Sequence, residues 1–315
     1  MRRFNRNLCI PTYDRLNNVE SVDEQLSSPV YDAGSGNVFV GEGWSSGNPA
    51  SLASVKATSG ALTVNSSTLG GAPIATPLVD SSAGKVYAFI GNDNSSHCPG
   101  SKSCSAVYQF PTSLTSSIEA YVGTGANSGS TAPQLYPGTF DNIYFSSSNN
   151  TGGLYVCGNT SAGPILYRIS ISSNTMASGT ITPGPTLASA QTTCSPITEV
   201  YNTSSGTDHD WIFLSVQANG NASTSGTVCT GSCVYSYDVN SGTLSTTTKA
   251  TDGITASGGA SAIIIDNVVA TTGASQIYTR NYRAQAVVVG PGAAPCRYRR
   301  PHFSSSSTNL RASDL

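Results

Sequence analysis

Between residues 27 and 278 the chain alternates short apolar runs with polar turns, and no apolar run of helical period extends over 11 residues. That pattern predicts strands and argues against helices. Two motifs recur in alternation. The first is a small residue, a proline and an apolar strand, then a polar turn and an aromatic-rich strand. It reads Ser28-Pro29-Val30-Tyr31-Asp32 with the turn Ala33–Gly36, leading into Asn37–Val40. It returns as Thr76-Pro77-Leu78-Val79-Asp80, turn Ser81–Gly84, then Lys85–Ile90. A third copy runs from Ser195-Pro196-Ile197-Thr198-Glu199 through a longer loop to Asp210–Val216. Weaker copies are Gly138-Thr139-Phe140-Asp141 leading to Gly153–Cys157, and Gly259–Asp266. Proline is tolerated where a strand begins because no ladder N–H is needed there, and Gly or Asn supplies the positive φ of tight turns.

The second motif is strand, turn, strand. It spans Leu52–Val55 to Leu62, Val107–Phe110 to Leu114, Leu166–Ile169 to Met176, and Val234–Tyr237 to Leu244. One copy of each motif makes a four-stranded antiparallel unit of about 40–50 residues, the size of a propeller blade. A β-sandwich carries strands of similar spacing but does not repeat one two-motif unit. The expectation is therefore an all-β chain, a β-propeller with four recognisable blades and a partial fifth that stops at Ser275–Tyr278. Residues 1–26 read as an irregular N-terminal segment, 27–278 as the repeats, and 279–315 as an irregular Arg/Ser-rich tail.

The units resemble quinoprotein-dehydrogenase and WD40-type propeller repeats of secreted bacterial proteins, best in Tyr235–Gly242 and Ser28–Asp32. The resemblance implies the blade. Quinoprotein repeats end the Asp…Gly turn with a tryptophan, whereas this chain reads Thr243-Leu244-Ser245, so the quinone enzyme is not implied with it.

Only 10% of residues are charged and the net charge is −2, so hydroxyls and amides rather than ions solvate the surface. Such a balance gives no electrostatic footprint for nucleic acid, and no stretch approaches the ~20 apolar residues of a membrane span. Arginines crowd the two ends. Between Arg15 and Arg280 the chain carries Arg168 alone. Residues from about 279 read either as a shifted reading frame or as a genuine basic tail, and residues 1 to about 20 as a truncated start.

Six of the eight cysteines lie in the body. Cys98 and Cys104 flank a short polar loop, as do Cys229 and Cys233, which leaves Cys157 and Cys194 as a third pair. Paired thiols point to an oxidising compartment, hence to a secreted or cell-envelope protein, although no signal peptide is visible after Met1-Arg2-Arg3.

Candidate chemistry is sparse. Asp208-His209-Asp210 offers metal ligands, but neighbours on a strand face opposite ways, and a solvated hairpin tip is the favoured reading. His97 lies in a polar loop. Asn92-Asp93-Asn94 offers one carboxylate, too few for a dedicated calcium site. No zinc or haem spacing, no nucleophile elbow and no set of basic clamps for a polycarboxylated quinone is present, so neither cofactor nor metal is expected. An acid/base pair is conceivable among Asp80, Asp141, Glu199 and Asp266, yet the repeated acid after the first strand (Asp32, Asp80, Asp266) suits a structural turn, and no catalytic residue is named. The leading expectation is a binding module for a protein or carbohydrate ligand. A quinoprotein-like or other propeller enzyme, and a fragment of a longer propeller, are the alternatives.

Overall fold

A computed structural model describes residues 26–279, apart from 44–49, 67, 73–74, 95–97, 102, 125–133, 204–207, 227, 257–261 and 267–275. The expectations for both chain ends, Cys9, His97, Cys296 and His302 lie outside the described residues.

Among the described residues the strands form four sheets, each built on four sequential antiparallel strands, and a two-stranded fifth. The first comprises β1 (Val30–Asp32), β2 (Asn37–Glu42), β3 (Ser51–Lys56) and β4 (Leu62–Asn65). The second comprises β5 (Leu78–Asp80), β6 (Lys85–Asp93), β7 (Cys104–Pro111) and β8 (Ile118–Thr124). In the third, β9 (Thr139–Phe140) is followed by helix α1 (Asn142–Ser146), then β10 (Gly152–Thr160), β11 (Gly163–Ser172) and β12 (Thr175–Met176). Two short strands follow: β13 (Gly179–Thr180), which runs parallel to β8 and so joins the second sheet, and β14 (Pro183–Thr186), which pairs with β11. The fourth sheet is β15 (Thr198–Asn202), β16 (His209–Gly220), β17 (Gly231–Asp238) and β18 (Asp252–Thr255). The fifth is β19 (Ile264–Asp266) with β20 (Gln276–Tyr278).

Strand alternation distributes each inner sheet over two cores. On β6, Val86, Ala88 and Ile90 pack with Phe39 and Leu52 of the first sheet, while Tyr87 and Phe89 pack with Leu154 and Val156 of the third. Tyr155 and Cys157 on β10 face Ile212 and Leu214 on β16. Trp211 and Phe213 of β16 then face Ile263 and Ile277 beside and within the fifth sheet. The sheets thus stack in chain order, which explains why the inner strands read as continuous apolar runs rather than half-buried ones. Each large side chain so buried contributes about 1.5–3 kcal/mol.

Two features let the stack close up tightly. A Cβ on Gly158 of β10 would lie 1.4 Å from the Val122 carbonyl oxygen of β8, so the second and third sheets meet where a side chain has no room. Gln109 of β7 donates to the Tyr87 hydroxyl at 2.7 Å and to the Asn174 carbonyl at 3.1 Å, and accepts from the Met176 amide at 3.1 Å. It thereby satisfies its buried amide across the same boundary.

The first motif is found as expected in its first two copies, with the turns closing on Gly36 (φ 68°) and Gly84 (φ 63°), while the start of the copy at Gly259 lies outside the described residues. The second motif needs correction in two units. Leu114 and Leu244 do not begin fourth strands; those strands are Ile118–Thr124 and Asp252–Thr255. Leu114 sits in a turn at φ 54° with its side chain in the core between the first two sheets, and Leu244 packs on the core between the third and fourth. Each apolar residue anchors a connection instead of extending a ladder. Helix α1 was also unexpected; its five residues are too few to show a helical period. Three disulfides form, Cys98–Cys104, Cys157–Cys194 and Cys229–Cys233, with Cα separations of 5.7, 6.4 and 6.0 Å. The second ties β10 to the segment ahead of the fourth sheet, where Cys194 bridges Val216 of β16.

Candidate functional site: an acidic junction and groove between the third and fourth sheets

The acid placed third after Pro29 and Pro77, and third after Gly138, closes the first strand of its sheet. Asp32 accepts the amides of Gly34 (3.1 Å) and Ser35 (2.9 Å) and the Ser81 hydroxyl of the next sheet. Asp80 accepts the Ser82 amide (2.9 Å), the Ser82 hydroxyl (2.6 Å), the Ala83 amide (3.0 Å) and, from the next sheet, the Tyr144 hydroxyl (2.6 Å). Burial pushes both carboxyls up, but these bonds outweigh it and hold them below the ordinary aspartate value. The structural-turn reading is therefore right for these two, and each acid also fastens one sheet to the next. Asp266 ends β19, with its side chain outside the described residues.

The third and fourth units depart from this pattern. Asp141 caps α1, accepting the amides of Tyr144 and Gly153, both at 2.9 Å. A capping aspartate satisfies an N–H that the helix itself cannot. Its second oxygen receives Arg168 Nη2 at 3.2 Å. Arg168 reaches it from β11 across the Tyr155 ring, with the guanidinium carbon 5.9 Å from the centroid. Asp141 is wholly buried, so the pair neutralises a charge that would otherwise be costly there.

Asp210 faces the same junction from β16, two residues before the core residue Ile212. It too is wholly buried, and its Oδ2 accepts the Asn142 amide of α1 at 2.7 Å. Its Oδ1 is buried and no N–H reaches it. Beside it stands Glu199, the second residue of β15; it pairs with Ile212, and Asp210 pairs with Tyr201, so Glu199 and Asp210 lie diagonally on one face of the sheet. Like Asp32 and Asp80 it is third after a proline, but those two end their strands and Glu199 does not. Burial, the adjacent Asp210 and the Asp141 charge push the Glu199 carboxyl up to about 8, so it carries a proton at neutral pH and donates it to Asp210. Burial pushes Asp210 up as well, but the Asn142 amide and the Glu199 proton favour its ionised form. Asp210 is the carboxylate of the pair and Glu199 the acid.

His209 and Asp210 open a strand instead of lying at a hairpin tip. They point to opposite faces, as strand geometry requires. His209 Nδ1 lies 2.7 Å from Asp238 Oδ2, and the ring stacks on Trp211 at 5.2 Å. Among the described residues no three His, Cys, Asp or Glu side chains are grouped to hold a metal ion.

Next to Arg168 the two sheets leave an open groove of about 490 Å³. Arg168, Ser170, Ser178, Thr180, Thr182 and Thr243 line it with polar groups, and Ile181 and Leu244 supply apolar ground. A Cβ on Gly242 would meet Ile143 Cδ1 at 2.6 Å, which places α1 against the wall of this groove.

Sequence reasoning named Asp141 and Glu199 among the conceivable acids, and the structure brings them into one junction; Asp80 caps its own turn elsewhere. It missed Arg168 and Asn142. The isolation of Arg168 between Arg15 and Arg280 was the available signal, since a lone arginine in a charge-poor body calls for a partner. Among the described residues no helix is long and apolar enough to cross a membrane. No protein-family model matches the chain. Comparison with curated proteins also finds no match.

Proposed function

We propose that this chain is an extracellular β-propeller-type binding module whose groove between the third and fourth sheets takes a neutral carbohydrate. The observation that carries the ligand class is the groove's lining. Hydroxyls of Ser170, Ser178, Thr180, Thr182 and Thr243 alternate with the apolar surfaces of Ile181 and Leu244, matching the mixed hydroxyl and C–H faces of a sugar. The one cation is already paired with Asp141, which favours an uncharged ligand over a polycarboxylate such as a quinone cofactor. The in-order stacking of four-stranded sheets, the inner ones buried on two faces, supports the blade reading. Three disulfides in a chain of this charge-poor composition support an oxidising, extracellular setting.

The test is a glycan array with the purified protein, followed by calorimetry on any hit. A neutral glycan is expected to bind, and Thr243→Trp, which fills the groove from a turn, is expected to weaken binding at least tenfold without changing the melting temperature. Absence of any glycan ligand, or a hit indifferent to Thr243→Trp, would overturn the assignment.

A further inference from the structure

The junction beside the groove contains more acid than its donors can satisfy. Asp141, Asp210 and Glu199 share the site with one cation, Arg168, whose partner is Asp141. Asp210 has Asn142 on one oxygen, and nothing but Glu199 to supply the other. The remaining ionisable groups do not relieve it. Tyr155 from the third sheet and Tyr201 and Tyr237 from the fourth all have their phenols pushed up, so they stay neutral and bring no charge. His209 is bound to Asp238 on the opposite face of β16, and Asp208 adds only negative charge nearby. Glu199, on the same face of the sheet as Asp210, is the group placed to supply the missing bond, and it does so with its proton.

We propose that Glu199 and Asp210 form a proton-binding site in which one shared proton fastens the fourth sheet to helix α1 of the third, and that its loss in alkaline solution frees α1 and loosens the adjoining groove. The route is short. Removing the proton sets two carboxylates against each other in a buried place, and Asp210 relieves the repulsion by turning away from the Asn142 amide. Helix α1 loses that bond, while its residue Ile143 packs at the groove wall and its cap Asp141 holds Arg168. The direction follows from linkage. The folded state holds this proton more tightly than a free glutamate does, so the contribution is full below the ordinary glutamate range and is lost as pH rises through about 8. The effect on the groove rests on the carbohydrate reading above; the proton site itself does not.

The experiment is hydrogen exchange of the Asn142 amide at pH 6 and pH 9, expressed as protection relative to intrinsic chemistry at each pH. Wild-type protection is expected to fall about tenfold or more between the two. In Glu199→Gln, whose amide donates to Asp210 at any pH, it is expected to stay constant. Infrared spectroscopy of the wild type adds a readout that needs no variant: a protonated-carboxyl carbonyl band present at pH 6 and gone above pH 9. Unchanged protection in the wild type, an equal fall in Glu199→Gln, or no such band at pH 6 would each overturn the proton site. A pH-sensitive Asn142 amide together with an empty glycan array would leave the proton site standing and remove only the groove's ligand.

Discussion

Removing the disulfides one pair at a time gives the sharpest energetic test of how the stack is held. Cys98–Cys104, Cys229–Cys233 and Cys157–Cys194 enclose sequence separations of 6, 4 and 37 residues. If a cross-link acts mainly by restricting the unfolded chain, its contribution grows with the logarithm of the enclosed loop. That relation gives about 2.2 kcal/mol for the first, about 1.9 kcal/mol for the second and about 3.8 kcal/mol for the third. The replacement should be alanine, because Cys157 and Cys194 are both buried in the core between the third and fourth sheets and a hydroxyl would add an unpaired polar group. The folded state has little reason to change, since Ile212, Leu214, Tyr235 and Leu166 keep the two sheets packed whether or not the sulfurs are joined. Urea unfolding of the three paired alanine variants should therefore rank Cys157→Ala/Cys194→Ala as the least stable by about 1.5 kcal/mol or more. Its denaturant slope should also rise, because the unfolded chain exposes more surface once the long loop is released. Equal losses in all three variants, or the smallest loss from the long loop, would refute the entropic reasoning and move the contribution to the folded-state contacts of each sulfur.

Two further outcomes follow from the boundary between the second and third sheets. Gly158→Ala puts a methyl group 1.4 Å from the Val122 carbonyl oxygen, so the sheets must part; a loss of about 3 kcal/mol in urea unfolding is expected, whereas the exposed turn position Gly34→Ala, which meets nothing closer than 3.4 Å, should change stability by less than about 1 kcal/mol. Tyr144→Phe removes one of the donors that hold the Asp80 carboxyl low. A lowered native value contributes stability above the ordinary aspartate range and loses it as pH falls through the native value, so this variant should be about 1 kcal/mol less stable at pH 7 and nearly equal to wild type near pH 2, as urea titrations at the two pH values would show.

The strands of the first motif were legible because proline, a turn glycine and an aromatic-rich run coincide in its first two copies, and the sheet registers Val30↔Phe39 and Leu78↔Tyr87 follow directly. The fourth strands of the second and fourth units were not, because Leu114 and Leu244 offered an apolar residue soon after the preceding strand, while Ile118–Thr124 and Asp252–Thr255 lie further on. Their placement comes from pairing with β7 and β17, a long-range effect that a local pattern does not carry. The same limit hid α1. Asp141 is a capping residue of ordinary type, but five residues cannot display a period, and the helix exists because Asp141 and Asp210 together satisfy its first amides.

The junction shows how a repeat diverges toward a site. In the first two units the acid that ends the first strand is an aspartate, short enough to fold back on the amides of its own four-residue turn. In the fourth unit the acid third after the proline is Glu199, which lies second in β15 instead of at its end, one methylene further from the backbone, and it reaches sideways to Asp210. Asp210 in turn is free to accept it only because its other oxygen has crossed to the Asn142 amide of the third sheet. An acid that serves as a satisfied staple in Asp32 and Asp80 is thus left, at Glu199, with a proton as its remaining partner. It stands where two sheets meet beside an open groove, a place where a change in protonation is felt by both.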